Sequence, residues 1–167
     1  MAPFYLWVIG KKRFAGSAAI QESHMKRTLI TTAIAALIAV SAVPSMANDV
    51  FINQYGFSQS AGGSQTGWSN RIGVQQRGNW NTATGRQTGD RNIGAIGQQG
   101  NYNWAETIQR GNRNAAGIGQ FGNNHNAVVS QDGNGNITAG VQVGNGCNAN
   151  VVQGGSGNVT AFVQVCE

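Results

Sequence analysis

Eleven glutamines, Gln54, Gln65, Gln76, Gln87, Gln98, Gln109, Gln120, Gln131, Gln142, Gln153 and Gln164, recur every eleven residues without a slip. Ten glycines follow them two places later, at Gly56, Gly67, Gly78, Gly89, Gly100, Gly111, Gly122, Gly133, Gly144 and Gly155. A fixed period of this kind marks a repeat architecture, in which each unit has a face that only its neighbour can cover. It argues against a globule built around one irregular core.

Each glutamine closes a seven-residue segment: 48–54, 59–65, 70–76, 81–87, 92–98, 103–109, 114–120, 125–131, 136–142, 147–153 and 158–164. Within a segment the residues alternate with period two, the pattern of a strand, and four-residue connections carrying the glycine separate them. The first place is Asn at Asn48, Asn70, Asn81, Asn92, Asn103, Asn114, Asn136 and Asn158, with Gln59, His125 and Cys147 as exceptions. The third place is mostly Ala, and the fifth is often Ile, Val or Phe. Together with the Gln these places share one side of an extended chain. The intervening places vary, and include Arg71, Arg86, Trp104 and Glu106. The constant side is therefore expected inside and the variable side in solvent.

Burying a carboxamide without a partner costs about 1–3 kcal/mol, so columns of inward Asn and Gln require an account. An amide both donates and accepts. Identical amides stacked at the spacing of paired strands can each donate to one neighbour and accept from the other, as in cross-β ladders. Two segments make one rung of strand, turn, strand, turn, so the expected fold is an all-β solenoid of 22-residue rungs, with eleven strands in about five and a half rungs. At ~4.8 Å between paired strands the stack is on the order of 25 Å high. An up-and-down meander would not require like residues to stack on like. With no capping element evident in the sequence, both ends of such a stack would present unpaired backbone and amides, and head-to-tail contact between copies would not close.

Charge removes other classes of function. Lys11, Lys12, Arg13, Lys26 and Arg27 precede residue 48 together with Glu22, whereas from 48 onward six arginines face five acidic residues and lysine is absent. The repeat region is nearly neutral and lacks the basic stripe that nucleic-acid binding requires. Its single histidine, His125, sits at an Asn place, and no Ser, His and acid trio can be assembled around it. No catalytic, cofactor-binding or metal site is expected, and the chain reads as no enzyme. Gly154-Gly155-Ser156-Gly157-Asn158 lacks the Asp of a calcium-binding nonapeptide repeat. Cys147 and Cys166 lack metal-site spacing. Pairing with each other, which would staple the last rung, stands beside intermolecular bonding or free thiols.

Residues 1–24 lack the repeat and are expected to be a non-native or misannotated extension, with translation starting at Met25. Residues 25–47 have the form of a secretory signal peptide: Met25-Lys26-Arg27, a largely apolar run from Leu29 to Val43, and Ser45-Met46-Ala47 as a small-x-small cleavage site. A run of fifteen residues is shorter than the roughly 20 that span a bilayer. A signal helix is therefore expected, with no membrane anchor after its cleavage, and residues 48–167 form the repeat domain.

The unit Gln-x-Gly-x-x-Asn-x-Ala-x-x-x-Gln, complete from Gln76 through Gly78, Asn81 and Ala83 to Gln87 and repeated from Gln98 and Gln109, resembles the curlin repeat of curli fibre subunits. The resemblance covers residues 48 to 166. It implies a secreted subunit that polymerises with itself into functional amyloid fibres, curli or pili, on the surface of a Gram-negative bacterium, serving biofilm and cell adhesion. It also implies a nucleator subunit, periplasmic chaperones and an outer-membrane secretion pore as partners, and the regular repeats are those of a major rather than a minor subunit. The alternative function is a monomeric secreted solenoid acting as an adhesin or ligand-binding module, for which the mixed outer positions provide no regular matching face.

Overall fold

The computed structural model describes residues 48–167; the expected extension and signal helix lie outside them. Eleven strands follow one another: β1 (Asp49–Phe57), β2 (Ser60–Thr66), β3 (Arg71–Asn79), β4 (Thr82–Thr88), β5 (Ile93–Gln99), β6 (Trp104–Arg110), β7 (Ala115–Asn123), β8 (Asn126–Asn134), β9 (Ile137–Asn145), β10 (Asn148–Ser156) and β11 (Val159–Cys166). The odd strands form one sheet in the order β1-β3-β5-β7-β9-β11, and the even strands form the other in the order β10-β8-β6-β4-β2. Every pairing is parallel, and each residue lies opposite the one 22 places on, as Gln54 does to Gln76 and Gln65 to Gln87. This is the expected solenoid, and the meander, whose consecutive strands pair antiparallel, is set aside.

The strands are offset from the expected segments. Each begins one residue later, and several continue past the Gln through the turn glycine, as in β1 and β3. Pairing extends into the corners because the rungs are in register there too: Gly56 lies opposite Gly78 and Gly122 opposite Gly144.

Burial alternates as the pattern requires. In β4, Ala83, Gly85 and Gln87 are buried while the residues between them are not. The interior is narrow, so side-chain volumes on facing strands must compensate. A methyl added at Gly85 would stand 3.1 Å from Ile72, and one at Gly140 would fall within the ring of Phe162. The large residues of the odd sheet thus occupy space that small residues leave. The apolar core comprises Ile72, Val74, Ile96, Ile118 and Val129 with five alanines.

The turn glycines have a steric cause. Gly111 has φ +101°, and a Cβ there would lie 2.0 Å from the carbonyl oxygen of Gly133 on the next rung. Only a residue without a side chain lets the corners stack at this distance. A second left-handed position follows two residues later, held by Ser58, Ser69, Trp80, Arg91, Tyr102, Arg113 and Asn124 with φ between 50° and 60°. The last three such positions are glycines, Gly135, Gly146 and Gly157.

Candidate functional site

The glutamines form two columns on opposite walls of the interior. In one, Gln54, Gln76, Gln98, Gln120, Gln142 and Gln164 are joined in sequence, each Nε2 donating to the next Oε1 at 2.7–2.9 Å. In the other, Gln65, Gln87, Gln109, Gln131 and Gln153 are joined in the same direction at 2.8–3.0 Å. From Gln65 onward, the second N–H of each amide crosses to a backbone carbonyl sixteen residues earlier, as Gln109 does to Ile93 and Gln120 to Trp104. Each glutamine from Gln65 to Gln142 therefore ties its rung to the next and one sheet to the other. Most are fully buried, where a satisfied amide network gains strength from the low dielectric.

Of the asparagines at the first place of a segment, Asn70, Asn81, Asn92, Asn103, Asn114 and Asn136 are buried, Asn48 and Asn158 on the end rungs are exposed, and the set bonds differently from an amide-to-amide stack. Their Oδ1 accepts the peptide N–H of the residue 22 places on, at 3.0 Å, from Asn48 to Asn70, Asn70 to Asn92 and Asn92 to Asn114, and likewise in four further pairs. Their Nδ2 donates to the carbonyl of the turn glycine nineteen places on, as Asn81 does to Gly100 and Asn103 to Gly122. The shorter side chain places its amide beside the corner backbone, so it satisfies peptide groups that the tight turn leaves free. Only Asn158 also donates to its counterpart, Asn136 Oδ1. A third ladder runs outside the corners, where Asn79, Asn101 and Asn123 accept the N–H of the preceding rung through Oδ1, and Asp90, Asn112 and Asn134 do so on the other corner. The sequence shows it as Asn or Asp immediately after the turn glycine, a regularity the inward pattern overshadows.

The exceptions share one column. Asn48, Asn70, Asn92, Asn114, Asn136 and Asn158 make one corner wholly Asn, while Gln59, Asn81, Asn103, His125 and Cys147 make the other. Gln59 reaches the Gly78 carbonyl, but its Oε1 is buried without a partner. His125 stands in for Asn: its Nδ1 accepts the N–H of Cys147 at 3.2 Å, which assigns the ring proton to Nε2, 3.2 Å from the Phe121 carbonyl oxygen. Cys147 is bonded to Cys166, with Cα atoms 5.6 Å apart and a separation of nineteen residues. That is the separation of an Asn and the glycine carbonyl it bonds, so the disulfide occupies the place of a ladder hydrogen bond.

The variable side is exposed, with Trp80 and Tyr102 stacked at 6.3 Å on one corner and Arg91 over Trp68 on the other. Among the described residues there is no group of three or more His, Cys, Asp or Glu that could hold a metal. The open edges are the remaining feature. β1 and β11 end one sheet and β2 and β10 the other, each paired on one side only among the described strands. β1 is exposed throughout, including Phe51 and Ile52.

A parallel β-solenoid with in-register buried amide columns and edges open among the described strands defines a solenoid repeat protein. The family model described as the curlin associated repeat matches residues 46–78 and 100–133. The first match takes in β1, β2 and most of β3 and the second β6, β7 and most of β8, and together they support placement with the curlins. No curated protein matches the chain.

Proposed function

We propose that the chain is a secreted structural subunit whose solenoids polymerise head to tail into curli-like extracellular fibres. The observation that carries this reading is that the Gln columns run unbroken to the open edges. Gln164 has one amide N–H bonded to the Asn148 carbonyl and, among the described strands, no further rung to receive the other. At the opposite end Gln54 donates to Gln76 while, among the described residues, no glutamine donates to it. One edge thus offers a donor at Gln164, while Gln153 gives its N–H groups to the Ile137 carbonyl and the Thr160 hydroxyl, and the other edge offers acceptors; in the same register this is a heterologous, non-closing contact.

Residues 25–47 act as the signal peptide in this reading, and chaperone, secretion pore and nucleator are the partners its curlin repeats imply. The fibre serves adhesion and biofilm matrix on a Gram-negative cell surface, and the regular repeats suit a major subunit. Purified secreted protein, incubated and followed by amyloid-dye fluorescence and fibre diffraction, is expected to give fibres with a reflection near 4.7–4.8 Å. A persistent monomer without that reflection would overturn the reading. Sequencing the N-terminus of exported protein should return Asn48, and residues from before Met25 would sink the signal assignment.

A further inference from the structure

The described solenoid has an odd number of strands, six in one sheet and five in the other. Among the described strands the last rung is therefore half complete: β11 lies a half-rung beyond β10, and the next place in the stack lies on β10. We infer that a second copy docks with its β1 on β10 and its β2 on β11, turned by half a revolution about the solenoid axis. This rests on the fibre reading above, with the eleven described strands as the polymerising unit.

Gly155 carries the argument. Nine turn glycines, Gly56 to Gly144, have a carbonyl of the next rung 1.8–2.1 Å from where a Cβ would be. Gly155 keeps the same left-handed conformation, φ +93°, but the place beside it is empty except for Asn158 Nδ2 at 3.5 Å. It is a carbonyl seat with no carbonyl. Asn158 agrees: each Asn from Asn48 to Asn136 donates to a glycine carbonyl nineteen places on, whereas Asn158 bends back to Gly154. In the half-turn arrangement, Gly56 of a second copy fills the seat and offers its carbonyl to Asn158. Gln65 of that copy then receives the free N–H of Gln164.

An unrotated copy, with β1 on β11, would leave the strand place above β10 empty and the seat at Gly155 unfilled. It has one advantage, because Asn48 of a second copy would donate its N–H to Asn158 Oδ1, whereas the half-turn puts that N–H over Cys147. A single hydrogen bond contributes about 0.5–1.5 kcal/mol. An omitted strand forfeits several such bonds together with its buried side chains, so the half-turn prevails.

The test pairs stacked outward positions across the junction, with the native disulfide intact. Fibres are grown from equal mixtures of two single variants of the secreted protein and oxidised, and covalent dimer is read on a non-reducing gel. Val152→Cys with Asn53→Cys is expected to cross-link, because these positions share a place in β10 and β1. Val163→Cys with Asn53→Cys is expected to remain at background. Dimer from the second mixture and not the first, or fibres with dimer from neither, would overturn the half-turn. Absence of fibres in both mixtures and in unmodified protein would defeat the underlying fibre reading instead. Helical reconstruction gives an independent measure: a rotation near half a turn with a rise of about 26 Å is expected, against about 29 Å and no half-turn for unrotated stacking.

Discussion

The Gln columns make a quantitative distinction between the middle of the stack and its edge. Gln109 is fully buried, and its Oε1 accepts from Gln87 at 2.8 Å while its Nε2 donates to Gln131 and to the Ile93 carbonyl, both at 3.0 Å. Gln109→Leu keeps the approximate volume but strands two side-chain groups in the interior: one N–H of Gln87 and the Oε1 of Gln131. Each stranded group costs about 1–3 kcal/mol, so the expected loss is about 2–6 kcal/mol. Gln54→Leu, at the exposed β1 edge, removes one bond to Gln76, with an expected loss of about 1 kcal/mol. Against a stability of ~5–15 kcal/mol for a domain of ordinary size, the first is a large fraction. The assay is a urea titration of dilute monomer followed by circular dichroism, comparing midpoints and slopes. A repeat stack can lose its ends before its middle, so a shallower slope for Gln109→Leu would indicate that the array has been cut in two. Equal losses for the two variants would refute the idea that the ladder is a buried network stronger in its interior.

Three further comparisons separate steric, polar and covalent contributions under the same titration. Gly111→Ala sets a Cβ against the Gly133 carbonyl and should destabilise by ~3 kcal/mol or more, whereas Gly73→Ala, with nothing within 4 Å and no left-handed φ, should be neutral or stabilising by up to ~1 kcal/mol; equal effects would refute the corner-stacking account. Thr107 buries a hydroxyl with no partner in the column that continues to Val129 and Val151, so Thr107→Val should gain about 1 kcal/mol, and a loss would show that the hydroxyl is satisfied. Reduction of Cys147–Cys166 should cost up to about 3 kcal/mol, and Cys147→Asn with Cys166→Gly should recover about 1 kcal/mol of that by restoring the ladder bond; recovery of nothing would refute the equivalence.

Much of this was legible because the period leaves few choices. An eleven-residue spacing with alternation inside it determines the strands, their inward sides and the pairing of Gln54 with Gln76. What remained hidden depends on geometry between rungs. The second left-handed turn position is occupied by Trp80, Arg91 and Tyr102, residues that signal nothing of the kind, and is revealed as glycine only from Gly135 onward. The Asn columns could be placed but not their bonds, since only the corner's depth decides whether an amide meets another amide or the backbone. The fit of Ile72 beside Gly63 and Gly85 requires knowing which rungs adjoin across the interior. The pairing of Cys147 with Cys166 was one of several options until the nineteen-residue relation of Asn to glycine carbonyl was visible.

That relation also explains why the irregular residues gather where they do. In the all-Asn column each side chain has two obligations, to the next peptide N–H and to a corner carbonyl, and only a short amide meets both. The other column departs at both of its ends, and each departure keeps one obligation and loses or replaces the other. Gln59 keeps the carbonyl and leaves an oxygen stranded. His125 keeps the acceptor through Nδ1 and turns its donor back toward Phe121. Cys147 gives up the acceptor and makes the carbonyl-side link covalent. An N–H stacked over Cys147 therefore finds no oxygen, while one stacked over Asn158 does. The two corners of the terminal rung are chemically unequal, with the place above Asn158 open to a further rung and the other corner sealed by the Cys147–Cys166 bond across rungs. A copy that arrives by a half-turn meets that inequality with its own unequal edge, Asn48 over the sealed corner and Gln59 over the open one. The cost falls on a single N–H, and the column that tolerates exceptions is the one that carries it.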